Sequence, residues 1–332
     1  MDTPAETSPA LVYAWLGDTL PDWARISLRI AGRTSGLSTV LICSRKVGVV
    51  DGMTRQVWLE DFYEPPEDQW AAKKGIRTSF RNGFWRKAFE RFIVLEQYVA
   101  KYGVSSLFHA ELDNLLFRLG GLSRSLDAVG AGFFCPRDTK ARGIASLVYI
   151  NDTTSLQQMV ETFFDDSISV SSDMELLGYM LQHNSQFYSL PTERALNDEP
   201  LQEWSAVSLG VTQGLFDACA IGQFLFGIDP RNGGVCMRNG YLNDRRGYDL
   251  WKLRITLDVE TATCTLSKTL SGAGEVPLYN IHVHSKLFKT IADSGQLSRI
   301  IGRLNDGRTT LLSVRLSQWR PIRAVLSRMN WA

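Results

Sequence analysis

Apolar and polar positions fall into blocks along this chain, and the period within each block predicts its structure. Residues 11–17 (Leu-Val-Tyr-Ala-Trp-Leu-Gly) are an almost unbroken apolar run, which marks a strand buried on both faces. Leu20, Pro21 and Asp22 then open a helix, with Trp23, Ile26 and Ile30 at helical spacing and Gly32 as its expected stop. Residues 37–44 form a second strand rich in β-branched side chains, and residues 56–62 a third that ends in Glu60 and Asp61. Strand alternating with helix predicts an α/β unit around a mainly parallel sheet.

Further along, residues 62–82 are polar and proline-containing and read as a loop. Residues 83–102 read as a helix whose apolar stripe is Trp85, Ala88, Phe92, Leu95, Val99 and Tyr102, with Arg91 roughly 70° from the centre of the stripe. Gly103 stops it, and a core strand over 107–112 follows. Residues 118–143, rich in Gly, Arg and Asp, read as irregular. A strand is expected at 144–150 and a helix at 155–164. Ser172 and Glu175 have capping-box spacing at the start of another helix. Residues 194–215 carry little signal. A helix over 216–227 has small residues suited to close packing, and 229–247 is a Gly- and Asn-rich loop. Residues 251–257 and 263–270 alternate as an antiparallel pair, and a strand at 279–283 precedes His284, Ser285 and Lys286. Helices finish the chain. With no internal repeat, one domain is expected over residues 1–290, followed by a basic helical extension over 291–332.

Composition narrows the class. The chain has 332 residues, 44% apolar and 21% charged, and a net charge of +1, which argues against a dedicated nucleic-acid binder. Five scattered cysteines without CxxC pairs argue for reduced thiols rather than a disulfide or zinc framework. The opening residues lack the pattern of an export signal, and no apolar run is long enough to span a bilayer, so a soluble, cytoplasmic protein is expected. From Arg299 onward there are seven arginines and one acid, Asp306, a stretch able to touch an anionic membrane at its inner face.

The chemistry concentrates at Glu111-Leu112-Asp113. A buried strand has no use for two carboxylates on one pleat face, but a divalent cation does: oxygen ligands at the carboxyl end of a central strand can hold Mg²⁺ or Mn²⁺ against a diphosphate. Asp113, nearest the carboxyl edge, is the better direct ligand. Glu111 suits a contact through water.

Three stretches together resemble the GT-A glycosyltransferases, enzymes with a single Rossmann-like domain that use nucleotide sugars and a divalent metal. Residues 15–42 (Trp15, Gly17, the Leu20-Pro21-Asp22-Trp23 turn and Val40-Leu41-Ile42) resemble that family's first strand, helix and second strand. Residues 108–114 look like its D-x-D motif with Glu in first place. Residues 279–286 resemble its late strand end bearing a histidine. The resemblance implies a mixed, mainly parallel α/β sheet flanked by helices. It also implies Mn²⁺ or Mg²⁺ as cofactor, a nucleotide-sugar donor (a UDP-sugar foremost), and a glycan, lipid-linked or protein acceptor. By the same resemblance Trp15, Gly17, Asp61, Arg91, Glu111 and Lys286 would bind the donor, and Asp113, Glu111 and either His284 or His282 the metal. Alternation puts both imidazoles on one face, and proximity to Lys286 favours His284. Asp173 would serve as the base for the acceptor hydroxyl, although acids favour a helix start in any case. Arg91 could equally tie a buried acid. The loop at Asp229-Pro230-Arg231-Asn232-Gly233-Gly234 is a candidate acceptor-side loop. A phosphohydrolase or nucleotidyltransferase using Glu111 and Asp113, or a non-catalytic scaffold, are the competing classes.

Overall fold

In the computed structural model the described residues are 9–305, apart from 68, 77–78, 82, 197–205, 219–220, 223–252 and 269–273. The expected acceptor-side loop, most of the 216–227 helix and the Arg-rich stretch beyond residue 305 therefore lie outside them.

The first apolar run becomes strand β1 (Ala10–Trp15), with Leu11 and Tyr13 buried on one face and Ala10 and Val12 on the other. Helix α1 (Asp22–Thr34) carries the chain to β2 (Thr39–Cys43), and β2 leads to β3 (Arg55–Trp58). β1, β2 and β3 pair in parallel. A short helix α2 (Trp70–Lys73) and the long α3 (Phe84–Tyr102) then bring the chain back across β1 to β4 (Leu107–Ala110), which pairs in parallel with β1 on its other side. The path thus reverses direction between β1 and β4. In open α/β sheets such a switch point splays the connections apart and leaves a crevice at the carboxyl ends of the strands.

Beyond β4 the chain forms β5 (Asn114–Leu116), α4 (Leu122–Asp127), β6 (Phe133–Thr139), the two-residue β7 (Arg142–Gly143) and β8 (Leu147–Ile150). Helices α5 (Thr153–Phe164) and α6 (Asp173–His183) follow, then β9 (Phe187–Leu190) and the single turn α7 (Leu209–Thr212). The large sheet has the order β3-β2-β1-β4-β8-β6-β7, with β9 also on β6; β8 is antiparallel to both β4 and β6, while β9 is parallel to β6. It is mixed, mainly parallel, and flanked by helices. α3, α5 and α6 cover one face through Phe89, Phe92, Phe163 and Met180, and α1 and α4 cover the other through Leu28, Ala31, Leu122 and Leu126. A smaller antiparallel sheet, β10 (Leu253–Asp258), β11 (Thr263–Lys268) and β12 (Val276–Pro277), packs its apolar face with the later helices Phe288–Ala292 and Ser294–Asn305 in a third core. Among the described residues no helix is long and apolar enough to cross a membrane.

Several local expectations are corrected. Gly32 does not stop α1: a Cβ there would come 2.7 Å from the Gly52 carbonyl oxygen, so it serves close packing, and the break falls at Gly36 with φ +74°. β3 ends at Trp58, and Glu60 and Asp61 lie on a 3-10 turn (Leu59–Asp61). β4 ends at Ala110, so Glu111 and Asp113 stand on the turn after it rather than on its pleat. The segment expected to be irregular, 118–143, contains α4, β6 and β7. Phe216, Asp217 and Ala218 are not helical, although Ile221 and Gly222 are.

Candidate metal centre

What joins the two distant parts of the chain is a pair of short strands. β5 pairs antiparallel with β13 (Asn280–His282), with His282 opposite Asn114, and the Val283 amide donates to the Asp113 carbonyl at 2.7 Å. A buried polar network fixes this register. The Asn280 amide donates to Asn114 Oδ1 at 2.9 Å and to the Asp217 carbonyl at 3.2 Å, Ser146 Oγ donates to the same carbonyl at 2.9 Å, and Asn114 Nδ2 donates to the Glu111 carbonyl at 3.2 Å. Because these groups are fully buried, losing one partner would strand the others at about 1–3 kcal/mol.

Held this way, Glu111, Asp113 and His282 each offer a ligand atom within 4.8 Å of the other two. His282 Nε2 lies 3.1 Å from Glu111 Oε2 and 3.3 Å from Asp113 Oδ1. Lys286, whose backbone sits at φ +60°, directs its ammonium onto Asp113 and stands 5.3 Å over the Trp23 ring. Arg91 bridges two acids: one Nη atom meets Glu111, and the other donates to Asp173 at 2.6 Å. Arg91 is thus tied to buried acids, the second of the two roles its place on α3 allowed.

Burial alone would push these carboxyls up. At Glu111 the charges of Arg91 and His282 outweigh burial and hold it below the usual carboxylate range. At Asp113 Lys286 and His282 do the same more strongly. At Asp173 burial wins over Arg91 and its pKa is raised, with the Glu111 charge adding to the effect. His109, on β4 two residues before Glu111, is fully buried with Nδ1 2.9 Å from the Val12 carbonyl, and burial drives it down to about 3, so it is a neutral floor residue.

The other expected residues fall as follows. His284 stacks on His282 with ring centroids 4.2 Å apart, but His282 is the imidazole that reaches the acids. Trp15 and Gly17 lie at the carboxyl end of β1, the Trp15 indole donating to the Thr19 carbonyl at 3.0 Å. Asp61 pairs with Arg45 near the end of β3, three strands from β4 and so roughly 14 Å away along the same edge. Asp173 is buried at the start of α6, where Ser172 Oγ caps the Glu175 amide at 3.3 Å. Glu175 takes the Ser171 amide and hydroxyl instead of completing a reciprocal box. The sequence reading missed Asp217. Its buried carboxylate accepts the amides of Ile221, Gly222 and His282 at 2.9, 2.8 and 2.9 Å, so it ties the segment at Ile221 and Gly222 to the histidine strand.

The donor set, two carboxylates and an imidazole at the carboxyl edge, is chemically suited to Mn²⁺, and to Mg²⁺ with the imidazole less favoured. No protein-family model matches the sequence, and no curated protein matches it. Solved structures overlap it in part, over 57% of this chain in each case. They include mouse xyloside xylosyltransferase 1 in its apo form (TM-score 0.37, 11% identity, 86% of that chain covered). The glycosyltransferase GlyE of Streptococcus pneumoniae TIGR4 overlaps with TM-score 0.33 and 14% identity over 47% of its chain, and an active-site mutant of LgtC with 0.34 and 11% over 74%. All three are glycosyltransferases. The mixed sheet with its flanking helices is the layout that the resemblance to GT-A enzymes implied.

Proposed function

We propose that the chain transfers a sugar from a nucleotide-sugar donor to a glycan, lipid-linked or protein acceptor, using a Mn²⁺ or Mg²⁺ ion held by Glu111, Asp113 and His282. The observation that carries this is the convergence of those three side chains and Lys286 at the switch point between β1 and β4. Two buried carboxylates kept ionised beside an imidazole are poor packing but a good cation site. Such an ion supplies Lewis-acid stabilisation of the departing diphosphate.

The remaining roles belong to the chain's own side chains. Lys286 can move its compact charge from Asp113 to a diphosphate. Arg91 holds Glu111 and Asp173 in fixed relation, so the acids are oriented before substrate arrives. Trp15 and Gly17 border the nucleoside, and Asp61, farther along the edge, reaches toward its base. Asp173 is the carboxylate we assign to the acceptor hydroxyl, and its raised pKa strengthens it as a base. His284 supports His282 from behind. UDP is the favoured donor nucleotide. The Arg-rich stretch from Arg299 onward would bring the enzyme to the inner face of a membrane.

Thermal unfolding with Mn²⁺ and each of UDP, GDP, CDP and ADP tests this. The pair should stabilise the chain more than either component alone, by about 2.7 kcal/mol at a ligand concentration a hundred times Kd. Absence of synergy with all four nucleotides would sink the donor-site claim.

A further inference from the structure

The approach to α3 carries a different chemistry from the acids of the metal centre. Between Lys73 and Phe89 the sequence has six basic residues, Lys73, Lys74, Arg77, Arg81, Arg86 and Lys87, and no acid, with Phe80, Phe84 and Trp85 set among the last of them. Phe84 is 39% exposed, and Phe80 and Trp85 are half-buried. The three rings form one cluster. Phe80 and Trp85 stack with centroids 5.9 Å apart, and Phe84 meets Trp85 edge-on at 5.0 Å and Phe80 at 6.2 Å. The Arg81 guanidinium lies 5.0 Å over Phe80 and 6.0 Å over Phe84, and Lys87 is exposed one turn beyond Phe84. Acids of this region engage other cations: Glu67 is 3.9 Å from Lys73, Asp166 3.4 Å from Lys74, and Glu90, 7% exposed, is 3.2 Å from Arg86.

The patch has a fixed place relative to the metal centre. α3 leads into the amino end of β4, while its Arg91 meets Glu111 just past the carboxyl end of that strand, so the helix runs antiparallel to β4. Phe84 lies one and a half to two turns ahead of Arg91, roughly 10 Å farther out along the axis. The rings and cations therefore stand at the carboxyl edge of the sheet, on the rim beside the metal centre.

Aromatic side chains among Lys and Arg suit a bilayer interface, where rings sit at the level of the headgroups and basic groups reach the phosphates. A single-stranded nucleic acid needs open ring faces on which bases stack. Here Arg81 lies over Phe80 and Phe84, and Trp85 is stacked on Phe80. An anionic lipid surface needs no such platform.

We propose that Phe80, Arg81, Phe84, Trp85 and Lys87 form a docking surface for an anionic lipid bilayer, which turns the metal centre toward the membrane. It is distinct in sequence from the Arg-rich stretch beyond Arg299, and it does not depend on the glycosyl-transfer assignment. Co-sedimentation of the full chain with phosphatidylcholine vesicles, with and without phosphatidylglycerol, tests it. The chain should bind the anionic vesicles and bind the neutral ones more weakly. Arg81→Gln combined with Lys87→Gln should weaken anionic-vesicle binding about fivefold for each charge removed, and Phe84→Ser should weaken it several-fold. Both variants keep the C-terminal arginines, so the loss reports on this surface. Their melting temperatures, and their stabilisation by Mn²⁺ plus UDP without vesicles, should stay near wild type. Undiminished vesicle binding in either variant, equal binding to neutral vesicles, or no binding by the wild-type chain would each overturn the surface. Variants that lose binding to single-stranded oligo(dT) while vesicle binding is unchanged would reassign it to nucleic acid. A wild-type chain that binds anionic vesicles but gains nothing from Mn²⁺ plus UDP would overturn the donor-site assignment and leave the docking surface standing.

Discussion

At the β1–β4 end of the carboxyl edge each acid faces a cation: Arg91 on Glu111 and Asp173, Lys286 on Asp113, with His282 Nε2 3.3 Å from Asp113 Oδ1. At the β6–β9 end Asp138 pairs with Arg142 at 3.3 Å, and Glu193 keeps an oxygen without a donor. The β6–β9 acids are also the more deeply buried, at 3% and 4% exposed, while the side chains of Glu111 and Asp113 keep 23% and 14%. Burial and neighbouring charge therefore act together in setting their state. Neighbouring charge holds Asp113 and Glu111 below the usual carboxylate range, as a divalent ion needs, whereas burial pushes Glu193 up to about 8.

The comparison can be broken most severely at the histidines. His282→Ala should abolish the extra stabilisation by Mn²⁺ plus UDP, while His284→Ala should keep most of it; calorimetric titration distinguishes them, and the reverse result would move the metal to His284. Next comes Gly222→Ala. A Cβ there would lie 1.8 Å from the His282 carbonyl, so the strand must shift. Metal affinity should fall about ten- to a hundredfold, as for other losses of ligand support, with nucleotide binding in the absence of metal unaltered. Lys286→Ala sharpens the picture differently. With the ammonium gone from Asp113, the ion alone should bind several-fold tighter, and UDP in the presence of the ion should bind more weakly, both by titration.

A further contrast is in the pH dependence of stability, where the two ends have opposite signs. Asp113 has a depressed folded pKa, so its contribution is present above the unfolded value and is lost as pH falls. Glu193 has a raised one, so its contribution is full below the unfolded value of 4.5 and is lost as pH rises toward about 8. Denaturant midpoints of Glu193→Gln should therefore be flatter than wild type between those limits. An unchanged slope would remove Glu193 as a protonated buried acid.

Much of the left half of the sheet was legible because its signals are local. The runs at β1, β2 and β4 and the stripe on α3 need no distant partner to be recognised. β6 was not: Phe133, Phe134 and Cys135 are a short apolar run followed by Pro136, Arg137 and Asp138, and only pairing with β8 and β9 makes them a strand. The same limit governs the site. The acidic pair was visible as chemistry, but the choice between His282 and His284 depends on the β5–β13 register, and Asp217 acts through a contact that no local pattern encodes. Glu193 follows a strand the sequence did not announce.

A crystal soaked in Mn²⁺ and UDP, measured at a wavelength where manganese scatters anomalously, confronts the main proposition most directly. One anomalous peak is expected in contact with Asp113 and His282 Nε2, touching the diphosphate, with the Lys286 ammonium moved off Asp113. Nucleotide bound with no peak there, or a peak at some other place on the molecule, would contradict it.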